Sequence, residues 1–206
     1  MAQYFEIHPD NPQQRLIHQA VEIIRQGGVI VYPTDTSYAL ACHIGDKSAL
    51  DKICRIRQLD NKHNFTLVCE NLAQVSNFTR MGNDAFRLIK SLIPGPFTFI
   101  LDATREVPRR LQQARKKTVG IRVPDCKIAL MLVEALGEPL FTSTMILPGE
   151  DEAMSDPYDI REKLEHELDL VIDAGIIDYQ PTTIIDCHDN QIEIVRQGAG
   201  HAPMLD

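Results

Sequence analysis

The sequence predicts an α/β fold, a single domain in which a twisted mixed sheet carries flanking helices. Three observations predict it. Apolar residues recur at helical spacing in some segments and in short strand-like runs in others, and the two patterns alternate along the chain. No internal repeat, low-complexity tract or long linker separates them, so residues 1–206 read as one domain with room for a substantial core. Hydrophobic residues at 44% and charged residues at 24% match a globular core and surface rather than a disordered chain.

The elements follow in order. Leu16, Ile17, Ala20, Val21, Ile23 and Ile24 recur at helical spacing, and Gly27-Gly28 closes that helix. Val29 to Tyr32 is a buried strand ended by Pro33, which has no N–H to give a ladder. Thr34, Asp35 and Thr36 then set two hydroxyls and a carboxylate at the strand tip, before an apolar strand over 38–42. Ligands of open α/β sheets settle in such crevices, although Thr and Asp serve equally as turn formers. Residues 47–57 form an amphipathic helix with Leu50, Ile53 and Cys54 inward, and 65–69 a short strand. A helix over 83–92 stops at Pro94-Gly95-Pro96. Strands near 97–102 and 119–123 flank a basic segment. Helix 127–136 ends at Gly137, and strand 140–145 follows Pro139. Ser155-Asp156-Pro157 starts another helix, because proline is tolerated in a first turn. Strands near 169–173, 183–187 and 191–196 complete the set.

Several function classes are excluded. No apolar run approaches the roughly 18 residues of a membrane span, so no membrane partner is expected. The segment Met1 to Glu6 has neither a basic region nor an apolar core for export, which reads as cytoplasmic. Cys42, Cys54, Cys69, Cys126 and Cys187 are scattered and form no Cys-x-x-Cys, against both a disulfide framework and a zinc site. The histidines show no ligand spacing, and no metal ligand is expected among them. A P-loop, a G-x-S-x-G elbow and a G-x-G-x-x-G fingerprint are all missing, so any nucleotide phosphate must be held by side-chain cations and backbone amides. The net charge of −8 argues against indiscriminate nucleic-acid binding. Yet residues 105–117 gather Arg105, Arg109, Arg110, Arg115, Lys116 and Lys117 against Glu106 alone, and residues 150–169 are strongly acidic. A protein acidic overall can still focus a positive cleft.

Five stretches in order carry a resemblance. They are Pro-Thr-Asp-Thr-Ser-Tyr-Ala-Leu (33–40), Ile-Pro-Gly-Pro-Phe-Thr-Phe-Ile-Leu (93–101), Val-Gly-Ile-Arg-Val-Pro-Asp (119–125), Pro-Thr-Thr-Ile-Ile-Asp (181–186) and Ile-Val-Arg-Gln-Gly (194–198). Over about residues 13–198 the chain resembles the YrdC/YciO family, most closely its YciO branch. The resemblance implies a YrdC-like α/β fold. It also implies ATP and a small amino acid such as threonine as ligands, with Mg2+ accompanying the ATP. The implied reaction makes threonylcarbamoyl-AMP, the activated donor for a tRNA modification: carboxythreonine attacks the α-phosphorus and pyrophosphate leaves.

The resemblance further implies a concave site. Arg122 is expected to grip the amino-acid carboxylate, for which a planar fork suits, with hydroxyls from Thr34 and Thr182. Arg55 and Arg57 stand at the family's Lys-x-Arg position, as donors aimed at phosphate and the substrate carboxylate, Lys62 stands at its second lysine, and Arg196 is expected to reach ATP. Thr36, Ser143 and Thr144 are expected on the same face. Each cation also has a plainer reading: Arg55 and Arg57 as a solvated helix end favoured by the dipole, Arg196 as an edge-strand charge. Three positions depart from the family. Thr144-Met145-Ile146 stands for Ser-x-Asn and lacks its amide, Arg55 replaces lysine, and Ala39 replaces a glycine beside the pocket. Two alternatives stay open. One is a tRNA or double-stranded RNA-binding protein without synthase activity, using Arg109, Arg110, Arg115, Lys116 and Lys117. The other is a hydrolase in which Asp35 activates water.

Overall fold

A computed structural model describes residues 1–60 and 64–205. In chain order the elements are β1 (Gln3–Glu6), α1 (Gln14–Arg25), β2 (Ile30–Pro33), β3 (Tyr38–His43), α2 (Lys47–Arg57) and β4 (Thr66–Val68). Next come α3 (Leu72–Phe78), β5 (Thr79–Arg80), α4 (Asn83–Leu92), β6 (Phe97–Ala103), β7 (Thr118–Arg122) and α5 (Lys127–Leu136). The chain ends with β8 (Leu140–Thr144), α6 (Pro157–Leu164), β9 (Leu170–Asp173), β10 (Thr183–Asp186) and β11 (Glu193–Arg196). The expected α/β architecture is present. Among the described residues no helix is long and apolar enough to cross a membrane.

The strands join one mixed sheet in the order β1-β9-β2-β3-β8-β4-β7-β6-β10-β11, with β5 beside β6. β1/β9, β9/β2, β4/β7 and β6/β10 are parallel, and the remaining pairs are antiparallel. β1 and α3 were not anticipated from the sequence. β1 has four residues and gains its partner from β9, far along the chain. α3 has seven residues, of which Val75 alone is buried, too few to show a helical period.

Period-two alternation divides the sheet into two faces. Val29 and Val31 join one hydrophobic cluster, Ile30 and Tyr32 the other. α1 and α5 cover the second face over β2, β3, β8 and β9, through Ile17, Val21, Ile24, Ile128, Leu132 and Val133. α2, α4 and α6 send Leu50, Ile53, Ile89 and Ile160 to the first. In β6 the buried Phe97, Phe99 and Leu101 also belong to the first face, so Thr98, Ile100 and Asp102 project on the α1/α5 side. Val119 and Ile121 likewise turn Gly120 and Arg122 to that side. The face that carries α1 and α5 therefore becomes polar toward β6 and β7, and the site opens there, with Ser143 and Arg57 of α2 reaching it from the other face. Gly120 is required by the close β4–β7 approach: a Cβ there would lie 2.7 Å from Thr66 Oγ1 and 3.1 Å from the Phe65 carbonyl oxygen.

Candidate anion and nucleotide site

A cavity of about 180 Å3 opens on this polar face. Its lining brings Arg57, Arg122 and Arg196 together with the hydroxyl-bearing Thr36, Ser37, Thr66, Thr98, Thr142, Ser143, Thr144 and Thr182. No carboxylate lines it among the described residues. Seven residues expected at the site are thus gathered: Thr36, Arg57, Arg122, Ser143, Thr144, Thr182 and Arg196.

The turn after β2 is built by Thr34, which lies off the lining. Its hydroxyl donates to the Ser37 carbonyl oxygen at 2.7 Å and accepts from the Thr36 and Ser37 amides at 3.2 and 3.1 Å. Such local bonds are what a threonine at a turn does best, and they leave Thr36 and Ser37 to face the cavity. Asp35 also turns away from the lining. Its Oδ1 accepts from Arg122 Nη2 at 2.6 Å and its Oδ2 from the Asp125 amide at 3.0 Å. Held by these two donors, the carboxylate positions an arginine, whereas the alternative in which Asp35 activates water needs it facing the cavity.

Arg122 is only 7% exposed, and the Asp35 ion pair is the reason a strand arginine can be buried. Its Nε is buried with no hydrogen-bond partner among the described residues. Arg57 projects from the last turn of α2. Its Nε donates to Ser143 Oγ at 3.1 Å and its Nη1 to the Ile146 carbonyl oxygen. Burial pulls its guanidinium below the ordinary arginine value, with Tyr179 nearby opposing the shift. Arg55 is exposed and off the lining. Residues two apart on a helix point about 200° apart, so Arg55 and Arg57 cannot share one face. Lys62 lies outside the described residues.

Arg196 bonds back across the β10–β11 end. Its Nε and Nη2 donate to the Thr182 carbonyl oxygen at 3.1 and 2.8 Å, and Nη2 also reaches Thr182 Oγ1 at 3.2 Å. Thr182 Oγ1 lies 2.8 Å from Thr98 Oγ1, joining β6 to the same network. On the far wall Thr142 donates to the Leu40 carbonyl oxygen at 3.2 Å, so the Tyr32 hydroxyl, 2.7 Å away, donates to Thr142. Burial pushes the Tyr32 phenol up to about 12 and keeps it protonated. Met145 is fully buried and Ile146 is on the lining. Neither offers an amide to a ligand.

Sequence reasoning did not single out Thr66, Thr98, Thr142, Tyr179 or Gln180. The first three are legible in retrospect as residues opposite the buried alternation of β4, β6 and β8. Tyr179 and Gln180 sit in an irregular loop with no period to read.

The cations of the 104–117 loop are exposed, as expected for a surface segment. They do not border the cavity. The loop leaves β6 at Ala103, about 17 Å along the strand from Thr98 at 3.3–3.4 Å per residue. Arg110 is tied to the Ile44 carbonyl oxygen at 3.1 Å, and Lys116 lies 3.9 Å from Asp186. Nearby, His188 places Nδ1 2.7 Å from Asp102 and Nε2 3.2 Å from Asp189, so both ring nitrogens face carboxylates.

Known proteins resemble this chain in sequence and in fold. YciO of Escherichia coli is 55% identical over 200 residues, 97% of each chain. Its crystal structure superimposes with a TM-score of 0.95 over the whole of both chains at 54% identity. A threonylcarbamoyl-AMP synthase of Coxiella burnetii is 29% identical over 178 residues, 85% of this chain and 95% of that one. P. abyssi Sua5 complexed with L-threonine shares the fold, with a TM-score of 0.86 at 23% identity over 95% of this chain and 57% of that one. The Sua5/YciO/YrdC family model, described as telomere recombination, matches residues 22–198. The chain belongs to the Sua5/YciO/YrdC family.

Proposed function

We propose that this chain binds ATP and an amino acid such as threonine in the arginine-lined cavity and joins them, through bicarbonate, into a threonylcarbamoyl adenylate. One observation carries the reading: three guanidiniums and a set of hydroxyls converge on a lining that holds no carboxylate among the described residues. Such a site favours anions, and its two kinds of donor suit carboxylate and phosphate oxygens alike. The synthase relative and the threonine-bound Sua5 support threonine as the amino acid. Five free cysteines fit a reducing, cytoplasmic setting.

In this reading threonine's amine combines with bicarbonate to a carbamate and water. A carbamate oxygen attacks the α-phosphorus, the bond to the bridging β-phosphate oxygen breaks, and pyrophosphate departs. No protein nucleophile takes part, so the chain contributes positioning and charge neutralisation, and positioning alone is worth roughly 7–11 kcal/mol. Arg122, fixed by Asp35, faces the amino-acid carboxylate. Arg57 and Arg196 exchange the Ile146 and Thr182 carbonyl oxygens for phosphate oxygens. Magnesium supplies further charge neutralisation, and a hydroxyl-rich lining fits an ion carried by the phosphates rather than caged by side chains. The amide missing at Ile146 costs about 1.5–3 kcal/mol, a slowing of roughly ten- to a hundredfold.

The test follows pyrophosphate release with ATP, magnesium, bicarbonate and each amino acid. Threonine-dependent release that rises in Ile146→Asn supports the reading. Silence with every amino acid, in that variant too, refutes it.

A second reading, binding of tRNA or double-stranded RNA, rests on the exposed cations Arg109, Arg115 and Lys117 of the 104–117 loop. Affinity for duplex RNA that falls steeply with salt supports it, and undetectable binding at low salt ends it.

A further inference from the structure

The loop between β9 and β10 contributes a residue that neither the family motifs nor the anion reading accounts for. This segment is anchored twice over the site: the Ile177 amide donates to the Ser155 carbonyl oxygen at 3.1 Å, and the Gln180 amide to the Thr36 carbonyl oxygen at 2.9 Å. Between those anchors Tyr179 turns onto the cavity lining. It is the one aromatic ring there among the described residues. The ring is half-buried, and among the described residues it stacks on no other ring, covers no cation, and its hydroxyl meets no hydrogen-bond partner. The other buried or half-buried tyrosines, Tyr4, Tyr32 and Tyr38, all bond through their hydroxyls, whereas Tyr158 is exposed to solvent. Tyr179 lies near Arg57, close enough for its phenol to act on that guanidinium.

An unpartnered aromatic face beside a phosphate-directed arginine is what a nucleotide needs, because its anionic end requires donors and its base a flat apolar surface. We propose that Tyr179 is the stacking platform for the nucleobase of the bound nucleotide. This rests on the reading of the cavity as an ATP site and adds to it. The arginines hold phosphate whatever is attached, whereas Tyr179 makes the site prefer a nucleoside triphosphate over a bare polyphosphate. Stacking tolerates any base, so the platform raises affinity for purine nucleotides generally without choosing between them by hydrogen bonds.

Calorimetric titration of the full chain with ATP and with inorganic tripolyphosphate tests this, using wild type, Tyr179→Ala, Tyr179→Leu and Tyr179→Phe. The ring is half-exposed on a loop, so folding is checked by an unchanged melting temperature. The expected result is an ATP affinity about 5- to 100-fold weaker in the alanine and leucine variants and restored by phenylalanine. Tripolyphosphate affinity stays within twofold in all four. Equal loss of both ligands in Tyr179→Ala, loss in Tyr179→Phe as large as in alanine, or no loss at all overturns the proposal. If wild type binds tripolyphosphate as tightly as ATP, the platform fails while the anion site stands. If it binds neither, the anion site fails and the platform with it.

Discussion

Replacing Asp35 with alanine removes the carboxylate that lies 2.6 Å from Arg122 Nη2. The two side chains are 11% and 8% exposed, so water cannot take over from the lost partner. Arg122 Nε already lacks a hydrogen-bond partner among the described residues, and the Asp125 amide loses its acceptor as well. Breaking a buried pair by deleting one member costs about 3–5 kcal/mol, because a charge is left buried and uncompensated. For a chain of this size each kcal/mol moves the melting temperature by about 2–4 °C, which gives a drop of about 6–20 °C. Urea unfolding followed by circular dichroism measures the loss. Adding Arg122→Met removes the stranded charge, so the double variant should recover most of the stability. A loss below about 1 kcal/mol in Asp35→Ala would refute the positioning role. So would a double variant less stable than either single one.

Three further outcomes are expected. Arg57→Ala frees Ser143 and the Ile146 carbonyl from their donor and costs about 1.5–3 kcal/mol in urea unfolding; an unchanged midpoint would contradict the Arg57 contacts. Burial pushes the Cys69 and Cys187 thiols up to about 12 and raises that of Cys42 further. The unfolded chain releases these protons above about pH 8.5 while the folded chain keeps them. Their contribution to stability is complete below that pH and is lost as pH rises toward 12, by up to about 1.4 kcal/mol per pH unit for each thiol. Unfolding midpoints from pH 8 to 10.5 that stay flat would oppose this. If the 104–117 loop binds duplex RNA, Arg109→Gln with Arg115→Gln lowers the slope of log affinity against log salt by about 0.7–0.9 for each cation removed; an unchanged slope would place the contacts elsewhere.

The parts of the molecule legible in the sequence are those with a period or a local rule. α1, α2, α4 and α5 repeat apolar residues at helical spacing, and prolines or glycines mark the stops of α1, α4 and α5. Arg122 and Arg196 stand in strands whose neighbours are buried or paired, which fixes the side they face. What was not legible depends on contacts between distant segments. Arg55 and Arg57 are chemically alike, and only their separation around α2 decides that Arg57 reaches Ser143 while Arg55 stays in solvent. Thr34 and Thr36 are likewise alike, yet the turn takes the hydroxyl of the first and leaves the second to the cavity. The cations of the 104–117 loop follow the site motifs in sequence, but the length of β6 separates them from the cavity.

In the proposed function one cavity accepts both an amino acid and ATP. Equilibrium titration of wild type and Arg122→Ala with L-threonine and with magnesium–ATP, separately and together, tests it most directly. Wild type is expected to bind both ligands, and Arg122→Ala to lose threonine while retaining ATP. Failure of wild type to bind either ligand would contradict it, as would threonine binding unaffected by Arg122→Ala.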